Sequence, residues 1–435
     1  RAPRWPTADP DVLRPYDELT RMLPRVAPPP AAAGGEPAEQ QARAEPPSLA
    51  RSTGKIAIAS LISRITGFLW KVMLVWAIGI GVENDSFNIA NTLPNIVYEL
   101  LLGGVLASIV VPLLVRSHDD PDGGEAYTQR LLTVALTLLA GATVVAVLAA
   151  PLFTALYVDS SSSEANPELT TAFAYLLLPQ ILFYGIFALL SAILNAKHEF
   201  GPPAWAPVVN NIVVMLTIGV FVLVPGEIST RPAEMGDVKL LILGIGVTLG
   251  IVTQAVLLIP PLLRSGFRFR WNWGIDSRMK EFGGLAAWIL GYVAISQVGY
   301  VITTRVLTGG SAGGMTAYYN AWLLFQLPYG VIGVSLLTAI MPRMSRAAAD
   351  GDHRKLIADL SYASRISTVT MLPIAAVMTV VGSSIGIALY SFGKADVASA
   401  ERLGQALAIA AFGLLPYALV MLQLRVFYAL KDART

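Results

Sequence analysis

The stretch SRITGFLWKVMLVWAIGIGVENDSFNIANTLPNIVYELLLGGVLASIVVP, residues 63–112, decides how the chain is read. Two apolar segments flank a tight Gly-Val-Glu-Asn-Asp turn at 81–85. Each is long enough to cross a bilayer, for which about 20 apolar residues suffice. Polar groups interrupt both. Arg64 and Lys71 share one helical face of the first segment. Asp85, Asn88, Asn91, Asn95 and Glu99 follow at three- and four-residue intervals, which makes one stripe along the second. A charge in hydrocarbon costs roughly 3 kcal/mol on insertion scales, so such a stripe must face protein or water. The pattern predicts a wet cavity inside a helical bundle, with the rest of the chain as its wall.

Composition agrees. Of 435 residues, 54% are hydrophobic and 14% charged, against about 25% charged in soluble domains. The mean hydropathy is +0.60. The expectation is an all-α polytopic membrane protein. A net charge of +2 provides no global field for nucleic acid. There is no cysteine, so neither a disulfide framework nor a thiolate metal site is expected. The three histidines, His118, His198 and His353, all fall in predicted loops, which argues against a histidine-ligated metal.

Residues 1–50 are rich in Pro, Ala, Arg and Glu and have no apolar period, so they read as a disordered cytoplasmic extension. Ten apolar segments follow, at about 56–80, 86–115, 130–157, 170–195, 204–224, 238–263, 283–307, 316–341, 357–390 and 402–428. Prolines recur inside them (Pro94, Pro179, Pro207, Pro328, Pro373, Pro416). Neighbouring helices can satisfy the backbone groups that such breaks free. With the N-terminus inside, the inner loops hold Arg116, Arg130, Lys197, Arg264, Arg268, Arg270, Arg278, Lys280, Arg343, Arg346, Arg354 and Lys355. The outer loops and helix ends hold fewer bases: Arg231, Lys239, Arg305, Lys394 and Arg402. This bias sets the orientation. Residues 264–282, RSGFRFRWNWGIDSRMKEF, alternate basic and aromatic side chains, as an interfacial linker on anionic lipid would.

The chain repeats itself weakly. Pro94 pairs with Pro328, Pro112 with Pro342 and Pro179 with Pro416, each separated by nearly the same distance along the chain. The paired segments run in the same direction, which predicts parallel repeats related by an axis along the membrane normal. Residues 51–263 then form an N-terminal lobe of six spans. Residues 283–435 form a C-terminal lobe of four, which reads as incomplete. The two pseudo-symmetric lobes surround a central cavity.

Several segments resemble the MurJ/MviN family of lipid II flippases, within the multidrug/oligosaccharidyl-lipid/polysaccharide exporter superfamily. They are SRITGF (63–68), DSFNIANTLPN (85–95), VPLL (111–114), AILNAKHEFGPPAWAPVVNN (192–211), QLPYGVIGVSL (326–336), MPRMS (341–345) and FYALKD (427–432). The ordered set spans about residues 52–432. The resemblance implies fourteen spans, of which ten are present, and an actinobacterial relative. It implies translocation of an undecaprenyl-pyrophosphate-linked glycopeptide across the bacterial cytoplasmic membrane by alternating access. It further implies lipid II and membrane lipids as partners, cell-wall synthesis or division proteins as others, no nucleic acid, no cofactor and no covalent catalysis. Two alternatives stand: an exporter of another polyprenyl-linked glycan or a small cation, and a non-transporting scaffold for cell-wall enzymes.

The candidate substrate-binding set is Arg64, Lys71, Asp85, Asn88, Asn95, Glu99 and Gln326. Arg64 matches the family's S-R-x-x-G-F arginine, whose planar fork suits pyrophosphate; a structural ion pair is the other reading. Asp85 belongs to an outer gate or caps a helix N-terminus. Departures from the family pattern occur at Trp70-Lys71, Tyr98-Glu99, Gly103, Leu323 and Gln326, so the cavity is less cationic than the family's. Lys71 would supply a point charge in place of an arginine, and Glu99 would pair with Arg64 or Lys71. Arg305 and Arg365 read as structural or as added cavity charge. Asn210, Asn211, Gln297 and Asn320 read as interhelical hydrogen-bonding groups or ligands.

Overall fold

Apolar runs punctuated by proline and glycine become helices that break where those residues fall. The computed structural model describes residues 47–99, 114, 117, 120–158, 166–229, 236–274 and 295–430. Among these there is no β-strand. Helix α1 (Pro47–Ile78) is followed after a short turn by α2 (Val82–Glu99). Then come α3 (Glu125–Leu148), α4 (Ala150–Tyr157), α5 (Pro167–Leu177), α6 (Gln180–Ala196), α7 (Gly201–Leu223), α8 (Val238–Val256) and α9 (Ile259–Arg264). A helix over 295–310, α10, opens the second half. It is followed by α11 (Gly314–Pro328), a π-turn (Tyr329–Gly333), α12 (Val334–Ala349), α13 (His353–Tyr390), α14 (Val397–Ala411) and α15 (Leu414–Ala429).

Six described stretches are long and apolar enough to span a bilayer, and a seventh arises if α14 and α15 count as one span bent by 54°. The expected second span runs beyond the described residues after Glu99, and the seventh is described only from residue 295. Several segments expected as single helices are interrupted. Residues 130–157 divide at Ala149, 170–195 at Leu178-Pro179 and 402–428 at Phe412-Gly413. The breaks in the fourth and tenth segments fall at or within four residues of Pro179 and Pro416, the prolines that pair in the sequence repeat. At the first of these the freed backbone finds a partner. Thr248 Oγ1 donates to the Leu176 carbonyl at 2.7 Å and accepts from Gln180 Nε2 at 3.0 Å. A neighbouring helix thus satisfies the kink, as a low-dielectric surrounding requires.

Helix α1 serves two cores at once. Leu74 and Ala77 pack with Phe87, Phe173, Leu177 and Leu243 of the first half. Val72 and Val75, on another face, pack with Leu324, Phe325, Met371 and Leu407 of the second. Both pairs are spaced three apart, so each marks one face of the same helix. A further core joins α3, α6 and the start of the 264–274 strap through Leu131, Phe187, Leu258 and Phe267.

Helices α13 and α14 approach until backbones touch. A Cβ placed on Gly386 would lie 2.6 Å from Gly404 Cα, and one placed on Gly404 would lie 2.5 Å from the Gly382 carbonyl oxygen. Small residues permit this close packing, the usual means of helix association in lipid. Gly404→Leu is therefore expected to destabilise the fold by about 1–3 kcal/mol through overpacking. Gly219→Leu, whose site has nothing within 4 Å, is expected to be neutral. Thermal denaturation of the purified full chain in detergent distinguishes the two, and equal melting temperatures would contradict the packing.

Candidate functional site

The polar stripe of α2 satisfies much of its own hydrogen bonding. Asn84 Nδ2 donates to the Gly79 carbonyl at 2.8 Å, and Asn88 Nδ2 to the Asn84 carbonyl at 2.9 Å. Thr92 Oγ1 donates to the Asn88 carbonyl at 2.8 Å, and Asn95 Nδ2 to the Asn91 carbonyl at 2.8 Å. This back-bonding follows from the three- and four-residue spacing, because each side chain reaches the preceding turn. The outcome corrects the expected wet stripe. Asp85, Asn88 and Asn91 are only 5%, 3% and 5% exposed, so over this part the stripe faces protein rather than water.

Asp85 does not cap its own helix. It reaches across to the N-terminus of α11, the helix paired with α2 in the repeat. Its carboxylate accepts from Gly313 N at 2.9 Å, Thr316 N at 2.7 Å and Thr316 Oγ1 at 2.6 Å. The first backbone N–H groups of a helix have no partner within it, and the positive end of the helix dipole favours an anion. Gly313 sits at φ +82° with the Ile80 backbone against it, so the turn into α11 admits the chain only without a side chain. Asn88 Nδ2 adds a 3.4 Å contact to Thr316 Oγ1. One turn on, Thr92 and Tyr300 share a 2.6 Å hydrogen bond. The void beside Asp85, Asn166 and Thr308 measures about 10 Å³, no more than a single water requires. This end is packed shut.

Further bonds join the two halves at the same end. Tyr157 donates to Gln297 Oε1 at 2.9 Å, and Arg305 donates to the carbonyls of Leu156 and Ala155 at 2.8 and 3.0 Å. Trp76 Nε1 donates to the Leu389 carbonyl at 2.9 Å, and Lys394 N to the Trp76 carbonyl at 3.0 Å. Lys394 Nζ meets Glu227 at 3.0 Å. The hydrogen bond and the ammonium charge hold the Glu227 carboxyl below the usual carboxylate range. Here Arg305 acts structurally, on the C-terminal carbonyls of α4. A void of about 320 Å³, lined in part by Thr154, Glu168 and Arg305, lies beside it rather than along the stripe.

The two cations of α1 differ in setting. Lys71 is 7% exposed and is enclosed by rings, with Nζ 4.1 Å from the Trp70 centroid, 4.5 Å from Tyr319 and 5.9 Å from Phe87. An ammonium over a desolvated aromatic face gains about 2 kcal/mol. Tyr319 comes from α11, so the cage closes across the two halves. Arg64 is exposed, and its Nη1 lies 2.9 Å from where a Cβ on Gly330 would stand. Glycine in the π-turn thus leaves room for the guanidinium. Glu99 cannot be assigned a pairing, since its side chain lies outside the described residues, as do Tyr98 and Gly103. Gln326 is half-buried on the last turns of α11.

Asn211 Nδ2 donates to the Ser63 carbonyl at 3.0 Å and to Thr66 Oγ1 at 2.9 Å, tying α7 to α1. Asn320 instead bonds within its own helix, to the Thr316 carbonyl at 2.9 Å. Asn91 Oδ1 and Asn320 Oδ1 are buried without a hydrogen-bond partner among the described residues. Asn95 Oδ1 accepts from Tyr184 at 3.1 Å. Sequence reasoning missed Gly313, Thr316 and Tyr319, the second-half partners of Asp85 and Lys71. A Gly-Gly-Met-Thr run signals a helix start, but nothing in it names the carboxylate that caps it.

Solved structures share this fold. "Lipid II flippase MurJ, inward closed conformation" superposes with TM-score 0.71 at 20% identity, covering 87% of this chain and 76% of that one. "Crystal structure of MATE in complex with MaL6" follows with TM-score 0.60 at 15% identity, covering 88% and 83%. Among curated relatives, the probable lipid II flippase MurJ of Vibrio cholerae is 25% identical over 87% of this chain and 72% of its own length. The lipid II flippase MurJ of Burkholderia cenocepacia is 25% identical over 86% and 72%. The family model for lipid II flippase MurJ matches residues 74–435, beginning just after Lys71. The chain belongs to the lipid II flippase MurJ family.

Proposed function

We propose that the protein translocates lipid II, the undecaprenyl-pyrophosphate-linked peptidoglycan precursor, across the bacterial cytoplasmic membrane by alternating access. The observation that carries this reading is the Asp85 clasp. One end of the bundle is sealed by non-covalent bonds between two helix groups, each with its own core, and such a seal can part and re-form. The relatives named as lipid II flippases supply the cargo. The fold neighbour in an inward closed conformation supports a two-state cycle.

In this reading residues 51–263 and 283–435 are the two lobes and 264–282 their linker. The N-terminus is cytoplasmic and the Asp85 end faces outward. Arg64 receives the pyrophosphate through its planar fork. Lys71 is held in reserve: when the lobes separate, Tyr319 leaves with α11 and the ammonium is freed to meet the passing phosphate. Asn88, Asn95, Glu99 and Gln326 provide hydrogen bonds to the sugar and peptide portion once wetted. No step makes or breaks a covalent bond.

Depleting the full-length protein in its own cell is expected to abolish access of an external probe to outer-leaflet lipid II. Wild type restores it and Arg64→Ala does not. Unchanged access on depletion would exclude the flippase reading and favour a scaffold. Because the chain has no cysteine, Ser86→Cys provides a single thiol beneath the clasp. Loss of three hydrogen bonds to a carboxylate in Asp85→Ala should raise its labelling from outside by on the order of tenfold or more. An unchanged labelling rate would show that Asp85 does not hold this end closed.

A further inference from the structure

We propose that the strap at residues 264–274 is a built headgroup site for anionic phospholipid, at the end of the bundle opposite the Asp85 clasp. The inference does not depend on which cargo crosses the membrane.

The strap begins where α9 ends. Gly266, at φ +83°, turns the chain, and Phe267, 6% exposed, pins it into the core below. From there a single side chain of α3 holds the backbone. Gln129 Nε2 donates to the Arg268 carbonyl at 2.6 Å, while Gln129 Oε1 accepts from Arg270 N at 2.7 Å. Thr133 Oγ1, one helical turn on, accepts from Asn272 N at 3.0 Å. Gln129 and Thr133 are themselves buried, at 3% and 0% exposure. The amide therefore acts as a neighbouring strand would, satisfying both a donor and an acceptor of an extended chain. At the start of the strap Lys197 Nζ donates to the Ser265 carbonyl at 3.1 Å.

Alternate residues of an extended chain fall on one side. Phe269, Trp271 and Trp273 form such a row, with ring centroids 5.1 and 6.4 Å apart. They are 38%, 64% and 65% exposed. Arg264, Arg268 and Arg270 are exposed among them. The strap follows directly on the apolar ends of α8 and α9, where Val256, Leu257, Ile259 and Leu263 are also exposed. Indole rings beside an apolar belt belong at headgroup depth. Arginines at that depth meet lipid phosphate, which guanidinium binds through paired hydrogen bonds. Continuity with the apolar belt commits the surface to a bilayer rather than to a soluble polyanion. The buried clamp separates this strap from a floppy basic loop, because it fixes the register that holds the rings in one row and leaves Arg268 and Arg270 exposed between them along the chain.

The test uses the purified full chain in neutral detergent. It is titrated with dioleoyl phosphatidylglycerol or dioleoyl phosphatidylcholine, and bound lipid is read by intact-complex mass spectrometry. Wild type is expected to prefer phosphatidylglycerol. Replacing Arg264, Arg268 and Arg270 with Gln should weaken the tightest phosphatidylglycerol by on the order of a hundredfold and leave phosphatidylcholine unchanged. Gln129→Leu, which keeps the arginines but releases the strap, should weaken it by about tenfold. Replacing three basic residues of the second half, Arg346, Arg354 and Lys355, with Gln should have little effect. Equal losses from both basic sets would reduce the effect to general surface charge and overturn the site. Wild-type affinity in Gln129→Leu would overturn the clamp.

Discussion

A single carboxylate at the N-terminus of a helix from the other half of the chain sets the state in which this bundle is seen. Asp85 meets two backbone N–H groups and one hydroxyl of the α11 start, all within 2.9 Å. Hydrogen bonds to a charged group are worth about 1.5–3 kcal/mol each when buried. The helix dipole adds to them. By comparison the Lys394–Glu227 pair at the same end is exposed, and such pairs contribute little. Asp85 is therefore the most buried charged contact described at this end, and other bonds between the halves surround it. Thr92–Tyr300, Tyr157–Gln297 and Trp76–Leu389 join the two halves at the same end.

The same constraint explains why a polar helix can lie in a dry interface. In a low-dielectric surrounding an unmet polar group costs far more than in water. The asparagines of α2 meet most of that cost locally, by bonding back to the preceding turn. Asn91 Oδ1 and Asn320 Oδ1 are among the buried amide oxygens that have no partner within the described residues. Lys71 follows the same logic with aromatic faces: the rings offset part of the desolvation of an ammonium. Arg64, exposed against a glycine of the π-turn, needs no such arrangement. A π-turn inside a helix is a frequent mark of a functional position, and this one sits directly after Pro328.

Membership of the lipid II flippase MurJ family places these details on a fold shared with transporters of other cargo, since the MATE structures superpose nearly as broadly. Trp70 and Lys71 stand together on α1, and the first of them supplies a wall of the cage around the second. Helix α1, which carries both cations, is shared between two cores.

The amino-acid sequence by itself determined the membrane class, the all-helical fold and the polar stripe. These follow from composition and from periodicities of three to four residues, which are local properties of a chain in lipid. It also marked Asp85, Lys71 and the basic–aromatic strap as unusual. The stripe from Asp85 to Asn91 proved dry, and turns interrupt the segments at 130–157, 170–195 and 402–428. Whether a polar side chain meets water or a preceding carbonyl, and whether a proline kinks or divides a helix, depends on the neighbour packed against it. Only the tertiary structure decided that Asp85 caps α11, that Tyr319 completes the cage around Lys71, and that Gln129 clamps the strap. In each case the partner lies more than a hundred residues away. Nothing in local spacing encodes that separation, and the pairing exists because a buried donor, acceptor or charge must find a partner wherever the fold supplies one.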